Sequence, residues 1–174
     1  DNLSFSNQTV EASPCSGTSD RNGALIRAAQ IAGAAERALE EAVGYANERV
    51  QFGRAIGKFQ AIQQNLAVMA SETAAAGCAA EMAFQAADNG KAEFEIAAAK
   101  IRNGEAGDIV TATAHQVLGA IGFTREHHLN FVSRRIWSWR AEFGSASSWA
   151  LKLGQATIER GGENLWPDLT ARQH

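Results

Sequence analysis

Apolar side chains recur at steps of three and four residues through most of this chain, a spacing that predicts helices. The first runs from about Gly23 to Arg49, with Leu25, Ala28, Ala32, Ala35, Leu39, Ala42 and Ala46 along one stripe. A second begins near Lys58 and carries Phe59, Ile62, Leu66, Met69, Thr73, Ala76, Ala80 and Ala83. Asn89-Gly90 stops it. The third covers about Ala92 to Leu118, with Phe94, Ala97, Ile101, Ile109 and Val117 inward. A glycine-rich break, Gly119 to Thr124, leads to a fourth helix from Arg125 to about Glu142, and a fifth runs from Ser145 to Arg160. The final GGENLWPDLTARQH reads as a loosely ordered tail in which Leu165 and Trp166 are candidates to dock.

Ahead of the helices, Leu3, Phe5 and Val10 among polar residues suit a short strand, and Ser13 to Asn22 suits a turn-rich linker. Residues 1–22 therefore read as an extended segment and linker, 23–160 as one helical unit and 161–174 as a tail. Three long Ala-rich helices with short connections predict an all-α, antiparallel up-and-down bundle. Small side chains let helix axes approach closely, so much of the alanine is packing. The first residue is Asp1 and not methionine, which points to processing or to a piece of something longer.

Composition narrows the function classes. A length of 174 residues is one domain's worth of chain, long enough for a substantial core. Net charge of −3 argues against nucleic acid as main partner, since phosphate backbones call for a basic surface. No apolar run approaches the roughly 18–20 residues of a membrane span, and DNLSFSNQTV carries no leader pattern; the sparse cysteines make a cytoplasmic setting the expectation. The two cysteines, Cys15 and Cys78, lie in unlike contexts and are not expected to pair, and Cys78 reads as a small buried thiol. A bundle di-metal site needs Glu-x-x-His on two helices, which is absent. His127 and His128, if helical neighbours, point about 100° apart and suit no shared metal, so none is expected.

Two places remain where chemistry concentrates. Between the first two helices, Arg49, Gln51, Phe52, Gly53, Arg54 and Gln60 put cations, amides and a ring on a short exposed turn. A plain connector needs no Phe flanked by arginines, so this corner suits something anionic and flat. In HQVLGAIGFT, Gln116 ends a helix and Gly119 and Gly122 allow close backbone approach to a ligand's phosphate or base. Trp137, Trp139 and Trp149 read first as core or interface anchors.

The stretches YANERVQFGRAIGKFQAIQQNLAVMA, AAAKIRNGEAGDIVTATAHQVLGAIGFTREHHL and RRIWSWRAEFGSASSWA resemble the C-terminal helical domain of the flavin-dependent acyl-CoA dehydrogenases. The likeness covers about Gly23 to Gln155, and LSFSNQTVEAS resembles the last strand of that family's middle β-domain. The resemblance implies an FAD cofactor, an acyl-CoA substrate and a homo- or hetero-oligomer, dimer or tetramer, formed through the bundle. It also implies that the bundle of one subunit grips the cofactor of its neighbour. On it, Arg49 pairs with the pyrophosphate, Phe52 packs on the cofactor and Gln60 serves the diphosphate-ribose region. Gln116, Val117, Leu118, Gly119 and Ala120 approach the adenine end.

Family chemistry is α-proton removal by a glutamate while a β-hydride passes to flavin. One family position of that glutamate falls here on Phe143, one residue after Glu142, and the other falls near Gly23. A one-residue slip in an irregular turn makes Glu142 the catalytic candidate. Three readings follow: a cofactor-binding domain of an acyl-CoA dehydrogenase, a non-catalytic subunit completing a partner's FAD site, or a helical interaction module without flavin.

Overall fold

A computed structural model describes residues 17–90 and 92–171, and it is helical almost throughout. Helix α1 spans Gly17–Glu48, α2 Gln60–Asp88, α3 Glu93–Leu118, α4 Leu129–Ala141, α5 Ala146–Arg160 and α6 Leu165–Thr170. The only strands among the described residues, β1 (Val50–Gln51) and β2 (Arg54–Ala55), form a minimal antiparallel hairpin between α1 and α2. Short 3₁₀ turns occupy Ile56–Lys58, Gly119–Phe123 and Gly162–Asn164.

Three long helices pack antiparallel, as the apolar stripes predict. One core cluster joins the end of α1 (Ala42, Ala46), the start of α2 (Met69) and the end of α3 (Val117, Leu118). A second joins the opposite ends through Ala24 and Ala28, Ala83, and Ile96 and Ala97. Ala24, Ala28, Ala35, Ala38, Ala42 and Ala46 of α1 are almost fully covered, so its axis lies close to its neighbours. Helix α3 is the centre: it touches α1, α2, α4 and α5, and it buries residues around most of its circumference. The bundle thus places the α1–α2 turn and the break after α3 at one end.

Differences from the sequence reading have local causes. Helix α1 starts at Gly17, six residues before the expected boundary, because a polar first turn containing Asp20 suits the positive helix N-terminus. The Ser13–Asn22 linker is therefore helical from Gly17, and the predicted strand and Cys15 lie outside the described residues. Ile109 faces outward and Cys78 is exposed, since α2 shows solvent the face opposite Ala76 and Ala80. Helix α4 begins at Leu129 because residues 124–128 form turns, so His127 and His128 are not on a helix. The tail is ordered through Ala171, tied back by an Arg160–Asp168 ion pair, with Trp166 pointing into solvent.

Buried polar groups in the core are matched internally. Asn103 Nδ2 donates to Ala76 O at 3.1 Å and Ala99 O at 2.9 Å, tying α3 to α2. Lys100, fully buried, donates from Nζ to Trp139 O (2.9 Å) and Arg140 O (3.0 Å). Those are carbonyls at the C-terminus of α4, where a cation is favoured. Burial first, then Arg140 and Arg27, lowers the Lys100 pKa to about 8, against the attraction of Glu142.

Candidate functional site

The α1–α2 corner is built on strain. Phe52 (φ 51°) and Gly53 (φ 78°) are the two loop residues of the β1–β2 hairpin. Positive φ at both positions is the type I′ pattern, usually met by Asn-Gly. A phenylalanine there costs roughly 1–2 kcal/mol of backbone strain. Burial does not offset that cost, because the ring is 92% exposed.

Below it, Phe59 meets Phe52 edge-on at 6.2 Å, and the Arg54 guanidinium stacks 4.2 Å above the Phe59 ring. The Arg49 side chain makes no ion pair or hydrogen bond among the described residues, and both Arg49 and Gln60 are exposed. Gln63 Nε2 donates to Gly57 O at 2.9 Å and fixes the turn that leads into α2. Arg54 was among the residues that the sequence pointed to, whereas Gln63, which also shapes this corner, was not singled out. Its signal was only proximity to the R-x-x-F-G run.

At the end of α3, Gln116 is exposed, whereas Val117 and Leu118 are 5% and 3% exposed and belong to the core. Neither therefore presents a surface to a ligand within this chain, unlike Gln116 beside them. The Gly119 amide (φ 65°) is spent on His115 O, and Ala120 is exposed. His115 lies under this turn, stacked on Phe123 at 4.1 Å and near Trp137 at 5.7 Å. Neither His115 ring nitrogen has a partner among the described residues, and burial lowers its pKa. The loop then returns to α1: His127 and His128 each bring Nδ1 within 3.3 Å of the nearly buried Glu41 carboxylate, which Arg37 also holds at 2.9 Å. The two predicted corners therefore share one end of the bundle, and this clamp fixes the second against α1.

At the other end lies the candidate base. Glu142 Oε2 accepts from Arg27 Nε at 2.7 Å, and Oε1 accepts from the Ser138 hydroxyl at 2.7 Å. Its pKa is lowered, first by Ser138 and then by Arg27 and Lys100, against a smaller opposing effect of desolvation. A general base is tuned upward toward the working pH. Glu142 has the opposite environment and latches α4 to α1.

Phe143 (φ 55°) lays its ring on Gly23: a Cβ at residue 23 would fall 2.4 Å from Phe143 Cδ1. The two positions that the resemblance assigns to a catalytic glutamate are thus in contact, and neither is acidic. Trp149 Nε1 donates to Phe143 O at 2.8 Å and pins the turn from α5.

Residues 21–148 match the family described as "Acyl-CoA dehydrogenase, C-terminal domain". Butyryl-CoA dehydrogenase from Megasphaera elsdenii is similar over 81% of this chain and 37% of its own, with 30% identity and a TM-score of 0.77. A glutaryl-coenzyme A dehydrogenase in complex with glutaryl-CoA is 33% identical over 81% of this chain and 36% of its own, with a TM-score of 0.77. The ChsE4-ChsE5 complex from Mycobacterium tuberculosis is 27% identical over 80% of this chain and 38% of the matched chain, with a TM-score of 0.78. The chain spans a little over a third of the length of these structures. Through the bundle that carries both corners, the chain belongs to the acyl-CoA dehydrogenase family.

Proposed function

We propose that this chain completes an FAD site in an acyl-CoA dehydrogenase assembly, one that forms the α,β double bond of an acyl-CoA thioester. The observation that carries this reading is the pairing, at one bundle end, of the unpartnered Arg49 and strained, exposed Phe52 with the exposed Gln116 and Gly119–Ala120 main chain. A guanidinium free of carboxylates is suited to a pyrophosphate, and a charge-assisted bond of this kind contributes roughly 1.5–3 kcal/mol. Phe52 offers a flat apolar face, Gln60 an amide at the start of α2, and Gln116 a side-chain amide next to a turn that the His115 stack supports. FAD, when bound, supplies the hydride acceptor. This chain's residues bind and orient it.

A second reading concerns proton abstraction, and the Gly23–Phe143 contact favours it. Within this protomer an aromatic ring occupies the place of the base, and Glu142 is held ionised by Arg27 and Ser138. The base then comes from another subunit, so the assembly is heteromeric and this chain is its cofactor-completing member. The likeness to a complex of two differently named chains is in keeping with that.

The decisive measurement is the flavin-to-protein ratio of the assembled protein after gel filtration. Arg49→Ala and Gln116→Ala should each lower it, Arg49→Ala by about tenfold or more in affinity, with helix content unchanged. Full retention in both variants would remove the cofactor assignment. For the base, Glu142→Gln should leave acyl-CoA-dependent dye reduction within about twofold of the parent. Abolished turnover in a folded, flavin-loaded variant would return Glu142 to the catalytic role.

A further inference from the structure

The bundle end away from the cofactor corner contains a cavity of about 210 Å³ between the start of α3, the outer half of α5 and the short helix α6. Its walls are apolar: Phe94, Trp149, Leu153, Ala156, Leu165 and Leu169. The polar groups among these walls are already engaged. Trp149 Nε1 is turned away onto Phe143 O, and Thr157 Oγ1 donates to Leu153 O at 2.9 Å. Water needs two to four partners to be held in such a space, so an apolar occupant is favoured. The volume is somewhat larger than the roughly 150 Å³ apolar cavity that admits a benzene-sized molecule.

The rim carries the charge. Lys152 Nζ sits 4.6 Å above the Trp149 ring and has no ion-pair partner among the described residues. Arg160 is neutralised by Asp168, an ion pair that fastens α6 over the cavity. Glu93, the other bordering carboxylate, lies in the first turn of α3, where the helix dipole favours it. Among the described residues Lys152 is the cation at the mouth that no carboxylate pairs.

We propose that this cavity is a separate binding site for a small anionic amphiphile, a short-chain fatty carboxylate, with its tail under α6 and its carboxylate on Lys152. It is independent of the flavin reading, since no residue of the cofactor corner borders it.

Calorimetric titration of the intact native protein with octanoate should show saturable binding. Lys152→Met should weaken it about tenfold while leaving 1-octanol binding unchanged, because only the carboxylate addresses the ammonium. Ala156→Phe fills the slot from α5 and should remove binding of both ligands, with thermal unfolding confirming that the variant is folded. Lys152 is exposed, so its variant tests the head-group contact without disturbing the core. Absence of saturable octanoate binding, or octanoate affinity unchanged by Lys152→Met, overturns the proposal. Octanoate affinity unaltered in Arg49→Ala separates its fate from that of the cofactor corner.

Discussion

The molecule uses the same strained dipeptide twice, at opposite ends of the bundle. Phe52-Gly53 and Phe143-Gly144 both have positive φ at each residue: 51° and 78° in the first, 55° and 95° in the second. At the α1–α2 corner the ring meets Phe59 edge-on and otherwise stands in solvent, 92% exposed. At the α4–α5 turn the ring lies on Gly23 and Arg27, the carbonyl of Phe143 accepts from Trp149, and Glu142 is latched to α1. Identical backbone chemistry therefore serves two ends. The first strained ring is left almost uncovered, whereas the second, still 42% exposed, is fastened by contacts on one side.

If that contrast is right, equal substitutions should have unequal effects. Gly144→Ala forces a side chain into a left-handed position with its Cβ 2.8 Å from Trp149 Nε1 and 3.0 Å from Ser148 Oγ. Backbone strain and overpacking together should destabilise by about 3 kcal/mol. At Gly53 (φ 78°) no atom lies within 4 Å of the added Cβ, so Gly53→Ala should cost only the backbone part, about 1 kcal/mol. Denaturant midpoints at constant slope measure both. Equal losses would mean that the closed turn gains nothing from its neighbours.

Next in size is the contact between Gly23 and the Phe143 ring. Gly23→Ala places a methyl inside the Phe143 ring and should destabilise by about 1–3 kcal/mol. Phe143→Ala alone loses the packing and still leaves a non-glycine residue at positive φ. The double variant should recover much of the Gly23→Ala loss, giving a coupling energy of about 1 kcal/mol or more in a double-mutant cycle. Simple additivity would show that residues 23 and 143 do not share one site.

Smaller still is the effect of relaxing the open turn. Asn tolerates the left-handed region, so Phe52→Asn should be neutral or stabilising by up to about 1 kcal/mol, while flavin retention falls. The parallel Phe143→Asn should destabilise, because that ring has contacts to lose. A stability loss at Phe52 would show that its ring supports the fold and is not simply presented.

Most of the bundle was legible because helical periodicity is a local property. Leu25, Ala28, Ala35, Ala42 and Ala46, and likewise Met69, Ala76, Ala80 and Ala83, are buried as their spacing requires. What escaped was set by residues far apart in the chain. Lys100 in AAAKI looks like a solvated charge, yet its ammonium is buried on carbonyls 39 and 40 residues away. The histidine pair looked helical, but it lies in the turn before α4, where His127 Nδ1 accepts from the Leu129 amide and both rings approach Glu41 on α1. Arg49, Phe52 and Gln116 stood out because cations, rings and amides at helix ends are visible one residue at a time. The closure of Phe143 over Gly23 was not visible, since neither residue is unusual until the turn brings them together. Ile109 shows the limit even within a helix: α3 is covered on so many sides that periodicity does not single out its one open strip.

The finest test of the closed turn is its pH dependence. Arg27 and Ser138 bind the ionised form of Glu142, so its folded pKa lies below its unfolded one. The latch therefore contributes stability that is fully present above the ordinary carboxylate range, near pH 5 and upward. As pH falls through the lowered folded value, that contribution is lost. Lys100 behind the turn has its pKa lowered to about 8, so the cost of burying its charge is present below that pH and relieved as pH rises toward 10.5. Near pH 6, then, Glu142 is ionised and Lys100 almost entirely charged, so of these two groups further acidification acts on the carboxylate. Glu142→Gln should lower the denaturation midpoint at pH 7 by a modest amount, because the pair is partly exposed and screened by solvent. The gap between parent and variant should close as pH falls below 4, and Ser138→Ala should make the gap smaller and complete its closure at a higher pH. A gap unchanged from pH 7 to pH 3 would mean that the Arg27–Glu142 contact is incidental, and the α4–α5 turn would then owe its shape to Trp149 and the Phe143 ring alone.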